Sequence, residues 1–234
     1  MTDGIAYETP DYSAGPPPIY ASSFPLGEQG ACDLLNGQLR ELASYTDDFA
    51  AALELFDMAS KDVPQLFASF DSSPEEKRAI DTKRRWCFIA AKDGAMTVYH
   101  FGQTLDLIRG GLGDCPTLRA MIDTDVLKEV DKRFKRKFPF YERLRHAVAH
   151  QSIVSKAPYM AVVRSDGSGR LIITGSLSGR RFISVWKEHR VEYEISDPTL
   201  KELASMRDCV FTAFANASAI SKSMPPYQEQ AQSD

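Results

Sequence analysis

Apolar residues recur at steps of three and four through most of the chain. Leu35, Leu39, Leu42, Phe49, Leu53 and Phe56 form one such stripe, with Thr46 in its polar gap. That spacing predicts a helix over about 31–59. Asp71-Ser72-Ser73-Pro74-Glu75-Glu76 follows, combining a capping residue, a proline at the first turn and acids on the helix dipole. It opens a second helix, predicted over about 74–109, whose seam is Cys87, Ala91, Gly94, Val98, Phe101, Leu105 and Ile108. The small residues in that seam would let another helix approach closely. A polar line of Asp93, Thr97, His100 and Thr104 runs beside it. Such a line either faces solvent or borders a cleft, and in the second case Asp93 and His100 are accessory site residues. Gly110-Gly111-Leu112-Gly113-Asp114 reads as a helix stop, because no strand precedes it and no Gly-Lys-Ser/Thr follows.

A basic helix is predicted over about 123–136, started by Asp123 or Thr124, and Phe138-Pro139-Phe140 breaks it. A short helix over about 139–153 comes next. The period then changes. Tyr159–Arg164, Arg170–Gly175, Arg181–Trp186 and Val191–Ile195 are short runs rich in β-branched residues, separated by turn residues such as Asp166-Gly167-Ser168-Gly169 and Ser178-Gly179. They predict a small antiparallel meander. Asp197-Pro198 opens a last helix to about 223, with Leu203, Met206, Val210, Ala213, Ala217 and Ile220 on its buried face. The expected fold class is therefore mainly α: about five helices in a bundle, with a small antiparallel sheet inserted before the last one. The expected organisation is a disordered or loosely docked leader over 1–28, one helical domain over 29–224 with the meander at 159–196, and a polar, disordered tail over 225–234.

Composition narrows the picture. Hydrophobic content of 43% is enough for a core in a chain of 234 residues. No apolar run reaches the roughly 18–20 residues of a membrane span, so no membrane association is expected. The first residues carry neither a basic region nor an apolar stretch. Cys32, Cys87, Cys115 and Cys209 are scattered, without a CxxC pair. These features fit reduced thiols in a cytoplasmic protein.

Net charge is −4, but it is unevenly spread. From Lys128 to Arg145 there are eight basic residues and three acidic ones, a local charge of +5. Lys132, Arg133, Lys135, Arg136 and Arg143 are therefore candidates for gathering a polyanion. The alternative is a solvated helix face with i,i+4 pairs. This stripe runs into Arg145-His146-Ala147-Val148-Ala149-His150, which holds two of the four histidines. A guanidinium forks onto phosphate, and an imidazole exchanges its proton near neutral pH. Together they point to chemistry on a phosphodiester. His146 and His150 also have metal-ligand spacing, but no Glu follows His146 in the HExxH manner and no third ligand is evident. No metal or other cofactor is expected.

An Arg, a polar residue, alanines and a His on a short helix after a helical array resembles the HEPN superfamily and its R-x4-6-H signature. Arg145-His146…His150 carries the resemblance closely, and the helical order over roughly 31–221 carries it loosely. The long leader and the meander depart from the minimal pattern. The resemblance implies a helical bundle and a metal-independent endoribonuclease, a toxin or phage-defence effector held in check by an antitoxin or other regulatory protein. Arg145, His146 and His150 would be its catalytic residues and RNA its substrate. The rival is a catalytically silent helical module that dimerises or binds a nucleotide or protein. On an ideal helix, residues five apart point about 140° away from each other. Arg145 and His150 therefore call for distortion or a composite site, and a homodimer that pairs two motif helices is expected.

Overall fold

The structure, a computed structural model, describes residues 15–61, 73–149, 163–165, 171–173, 176–186 and 189–228. It is mainly helical, with a small antiparallel sheet before the last helix. Helix α1 spans Leu26–Ser60 and α2 spans Pro74–Gly111. The start of α2 follows from its sequence: Ser73 accepts from Glu76 N, and the Glu76 side chain returns a bond to Ser73 N. This reciprocal cap satisfies two backbone donors that a helix start leaves open. The pairs Leu35/Gly111, Tyr45/His100 and Phe49/Gly94 meet in turn, so α1 and α2 lie antiparallel. They are about 53 and 57 Å long at 1.5 Å per residue.

The stripe read from the sequence is the buried one. Leu35, Leu39, Leu42, Thr46, Phe49, Leu53 and Phe56 all face the core. Thr46 meets its buried position by bonding back to Leu42 O at 3.1 Å. A single turn, α3 at Pro116–Arg119, reverses the chain after α2. Glu28 of α1 holds it by accepting from Thr117 N and Oγ1 at 3.0 and 2.7 Å. Helix α4 spans Thr124–Lys137 and is capped by the Asp123 carboxylate; α5 spans Tyr141–Ala149 within the described residues. The last helix, α6, spans Asp197–Ser223 and packs against α1 and α4.

Helix α5 starts two residues later than expected because Phe140 has φ +66°, the left-handed region, which cannot belong to a right-handed helix. A non-glycine residue there costs about 1–2 kcal/mol.

Among the described residues the sheet region has five strands, where four were expected. β1 (Val163–Ser165) pairs with β2 (Leu171–Ile173). β3 (Ser176–Ser178), β4 (Arg181–Trp186) and β5 (His189–Glu194) form a second, three-stranded antiparallel sheet. β3 escaped the sequence reading because Ser176-Leu177-Ser178 looks like turn, yet Ser178 pairs with Arg181 across a two-residue turn. Gly179 takes φ +58° there, which only glycine adopts freely. Arg180 in that turn reaches Asp57 of α1 and donates to Ile195 O at 3.2 Å. The turn is therefore tied to α1, while β4 and β5 pack against α5. Val191 and Tyr193 alternate inward from β5.

The leader, expected to be disordered or loosely docked, packs onto the bundle over its described part: Phe24 is fully buried and Ile19 nearly so. Ser23 Oγ donates to Ser221 O, Ser218 Oγ to Pro18 O and Tyr227 N to Ser22 O, each at 2.7 Å. Residues 1–14 and 229–234 of the leader and tail lie outside the described residues. The small-residue seam does admit another helix, α1, and is used within the chain. Ala91 is fully buried, and a side chain on Gly94 would sit 2.8 Å from the Tyr193 hydroxyl, which donates to Ala91 O. Gly94 makes room both for Tyr193 and for the close approach of α1 through Phe49.

Candidate functional site

The basic stripe divides into three parts. On α4, Leu127, Val130 and Phe134 face the core, which leaves the charged residues on the flanks. Arg133 turns toward α6, where Nε and Nη2 bond Glu202 at 2.7 and 2.8 Å and Nη1 donates to Ser205 Oγ at 3.2 Å. That fork holds the Glu202 carboxyl below its ordinary range. Lys135 turns the other way, to Asp131 at 2.8 Å and Asp106 at 3.2 Å. Arg133 and Lys135 thus tie helices together. Lys132 and Arg136 remain exposed, each about 3.8–3.9 Å from Glu129. Arg136 and Lys137 line a cleft of about 350 Å³ together with Arg133, Glu129 and Glu202.

The Lys135 contact belongs to a network that sets the position of α5. Asp106 of α2 accepts from Tyr141 Oη at 2.6 Å as well as from Lys135. Asp131 of α4 meets Arg109 of α2 at 2.6 Å. Burial, and then the charge and hydrogen bond of Asp106, push the Tyr141 phenol up. Tyr141 also packs edge-on against Phe134, with ring centres 5.1 Å apart. Sequence reasoning missed Asp106 and Tyr141; the signal was available only as a tyrosine near the start of the predicted motif helix.

Two arginines of α5 face different neighbours. Arg145 is exposed and reaches α2, donating from Nη1 to Tyr99 Oη at 3.3 Å, with its guanidinium 5.6 Å from the Tyr99 ring centre. Tyr99 meets His100 edge-on at 5.1 Å, and His100 stacks on Tyr45 of α1 at 5.6 Å. His100, a candidate accessory residue, shares its neighbour Tyr99 with Arg145, and Tyr99 is a residue the sequence reading passed over. Arg143 instead lies over the Phe140 ring, 4.4 Å from its centre, and one of its nitrogens, Nη1, is buried without a hydrogen-bond partner. Phe140 in turn stacks on His189, the first residue of β5, at 5.7 Å.

The remaining candidates separate. Asp93 is exposed seven residues before His100, beside Asp48 of α1, whose carboxyl is pushed up by partial burial and by the Asp93 charge. Thr97 and Thr104 of the polar line are buried. The line therefore contributes to the α1–α2 contact as much as to the surface. His146 is exposed on α5. His150 lies outside the described residues. Among the described residues, no group of three or more His, Cys, Asp or Glu side chains could hold a metal ion, and no helix is long and apolar enough to cross a membrane.

What the described site can do is offer an anion the exposed Arg145 guanidinium, which donates to the Tyr99 phenol. No protein-family model, no curated protein and no solved structure matches the chain.

Proposed function

We propose that the chain is a metal-independent endoribonuclease of HEPN type, a toxin or phage-defence effector that cleaves RNA by attack of its own 2′-hydroxyl. The observation that supports this most is Arg145. It stands exposed on a short helix that Tyr141 fixes to the bundle, and its guanidinium donates to Tyr99. Its described contact is a phenol, whereas Arg133 turns its charge to the Glu202 carboxylate.

In this reading the Arg145 guanidinium stabilises charge that builds on the pentacoordinate phosphorus. His150 takes the 2′-hydroxyl proton or returns one to the leaving 5′-oxygen, and His146 assists. The products are a 2′,3′-cyclic phosphate and a free 5′-hydroxyl, and no cofactor is needed. A homodimer brings Arg145 of one chain toward His150 of the other, which relieves their angular mismatch on a single helix. Because Ala91 and Gly94 are used internally, that dimer forms through another face.

The test is incubation of the purified full chain with labelled RNA in EDTA, beside Arg145→Ala and His150→Ala controls. Cyclic-phosphate ends that depend on both residues support the reading. Cleavage that EDTA stops and zinc restores assigns His146 and His150 to a metal instead. A folded chain that cleaves no RNA is the silent helical module, and sedimentation as a monomer at micromolar concentration removes the composite site.

A further inference from the structure

We infer that Phe140, Arg143 and His189 form a stacking site for an unpaired nucleobase of single-stranded RNA; this rests on RNA being the substrate. Three separate observations converge on it. Phe140 holds the left-handed conformation at φ +66°, where glycine would sit without strain. Its side chain is not kept for the core, since it is 50% exposed. What the ring does hold is a stack. The Arg143 guanidinium lies 4.4 Å from its centre and the His189 imidazole lies 5.7 Å away, inclined by only 30°.

A flat guanidinium, a phenyl ring and an imidazole are the groups on which proteins stack splayed-out bases. Their surroundings suit a polyanion: Lys137 precedes the turn, and Arg145 and His146 continue α5 beyond it. Arg143 also retains one buried nitrogen, Nη1, without an acceptor. A phosphate oxygen arriving beside the opened stack supplies that acceptor, as the charge of a guanidinium favours. His189 is itself exposed, so the stack can be extended outward by one more flat ring. A duplex cannot offer such a ring without breaking a base pair, which makes the site selective for unpaired RNA.

The test uses the full chain and a fluorescein-labelled 2′-O-methyl oligoribonucleotide, whose blocked 2′ oxygen prevents cleavage, both as a single strand and annealed to its complement. Anisotropy should show the single strand bound more tightly than the duplex. Phe140→Asn keeps a residue that tolerates the left-handed region and removes the ring; it should weaken single-strand binding about tenfold, the size of one lost stack. Phe140→Trp should retain the affinity. His189→Ala, at an exposed strand position, should weaken binding in the same direction and decides the matter if Phe140→Asn does not fold. Folded Phe140→Asn and His189→Ala proteins that bind as the parent does, or a parent that prefers duplex, overturn the inference. In that event retained cleavage of ordinary RNA leaves the nuclease reading standing. Stacking-dependent binding by a chain that cleaves nothing removes the nuclease reading alone, and a parent that binds neither RNA removes both.

Discussion

The Tyr141 ring occupies the space that a side chain on Gly102 would need. A Cβ there would lie 2.4 Å from Tyr141 Cε2 and 2.5 Å from Phe134 Cε1. Gly102 is thus the notch in α2 into which the first turn of α5 and the aromatic face of α4 are pressed. Gly102→Ala should destabilise the fold by about 2 kcal/mol through overpacking, although alanine is the better helix former. Chemical denaturation of the two proteins measures this directly. Because the notch seats the helix that carries Arg145, RNA cleavage should fall further than stability alone explains.

Arg143 and Arg145 should separate by their effects. Arg145→Ala should abolish cleavage while leaving the melting temperature nearly unchanged, because its described contact is one exposed bond to a phenol. Arg143→Ala should weaken binding of uncleavable single-stranded RNA and leave the cleavage of saturating substrate largely intact. Equal effects of the two changes on turnover at saturation would contradict this division.

The basic residues of α4 should fall into two classes. Reversal of Lys132 and Arg136 to Glu should lower RNA affinity and flatten its salt dependence, since each phosphate contact releases counterions. Reversal of Arg133 or Lys135 should instead lower the melting temperature. It places a carboxylate against Glu202 in one case and against Asp106 and Asp131 in the other. Calorimetry and binding titrations on the four variants test the split; an unchanged melting temperature for the Arg133 reversal would refute it.

Acid should act through Glu202. Its folded-state carboxyl is lowered below the ordinary 4.5, chiefly by the Arg133 hydrogen bonds. A lowered acid contributes stability that is fully present above the ordinary value and is lost as the pH falls through the folded one. Glu202→Gln should therefore cost about 1 kcal/mol at neutral pH for this partly exposed pair. The gap between the two proteins should close progressively below pH 4.5. Melting curves at stepped pH follow it.

Thiol reagents should find one fast cysteine. Cys209 is half-buried, whereas Cys32, Cys87 and Cys115 are buried. Burial pushes all three of those thiols up, Cys32 to about 12 with a further contribution from its contact with Cys115 at 3.7 Å. Because the thiolate is the reactive form, a disulfide reagent at neutral pH should label one thiol quickly and the other three at the rate of unfolding. Three fast thiols would show that the contact between Cys32 and Cys115 opens in solution.

Local rules carried the helices. The Ser73/Glu76 cap, the Asp123 cap and the stripe from Leu35 to Phe56 each act within a few residues, and each can be read from spacing. What spacing could not supply is the identity of the neighbour. The seam at Gly94 reads equally as a place for a helix or for a ring, and only the chain's return through β5 makes it the seat of Tyr193. Eight cations in a row look alike until Glu202, Asp106 and Asp131 arrive from α6, α2 and α4 to claim two of them. Phe140 reads as a helix breaker beside Pro139, and its left-handed backbone and its stack on His189 depend on a strand nearly fifty positions away.

The docked leader has a topological consequence. Residues 18–23 and 218–227 are joined by hydrogen bonds from Ser23, Ser218 and Tyr227, so the two segments meet at one pole of the bundle. Traced along its contacts instead of its peptide bonds, the chain is a ring. A short bridge between those segments would turn the ring into a covalent circle with no change in packing, and new ends could then be opened at a surface connection elsewhere.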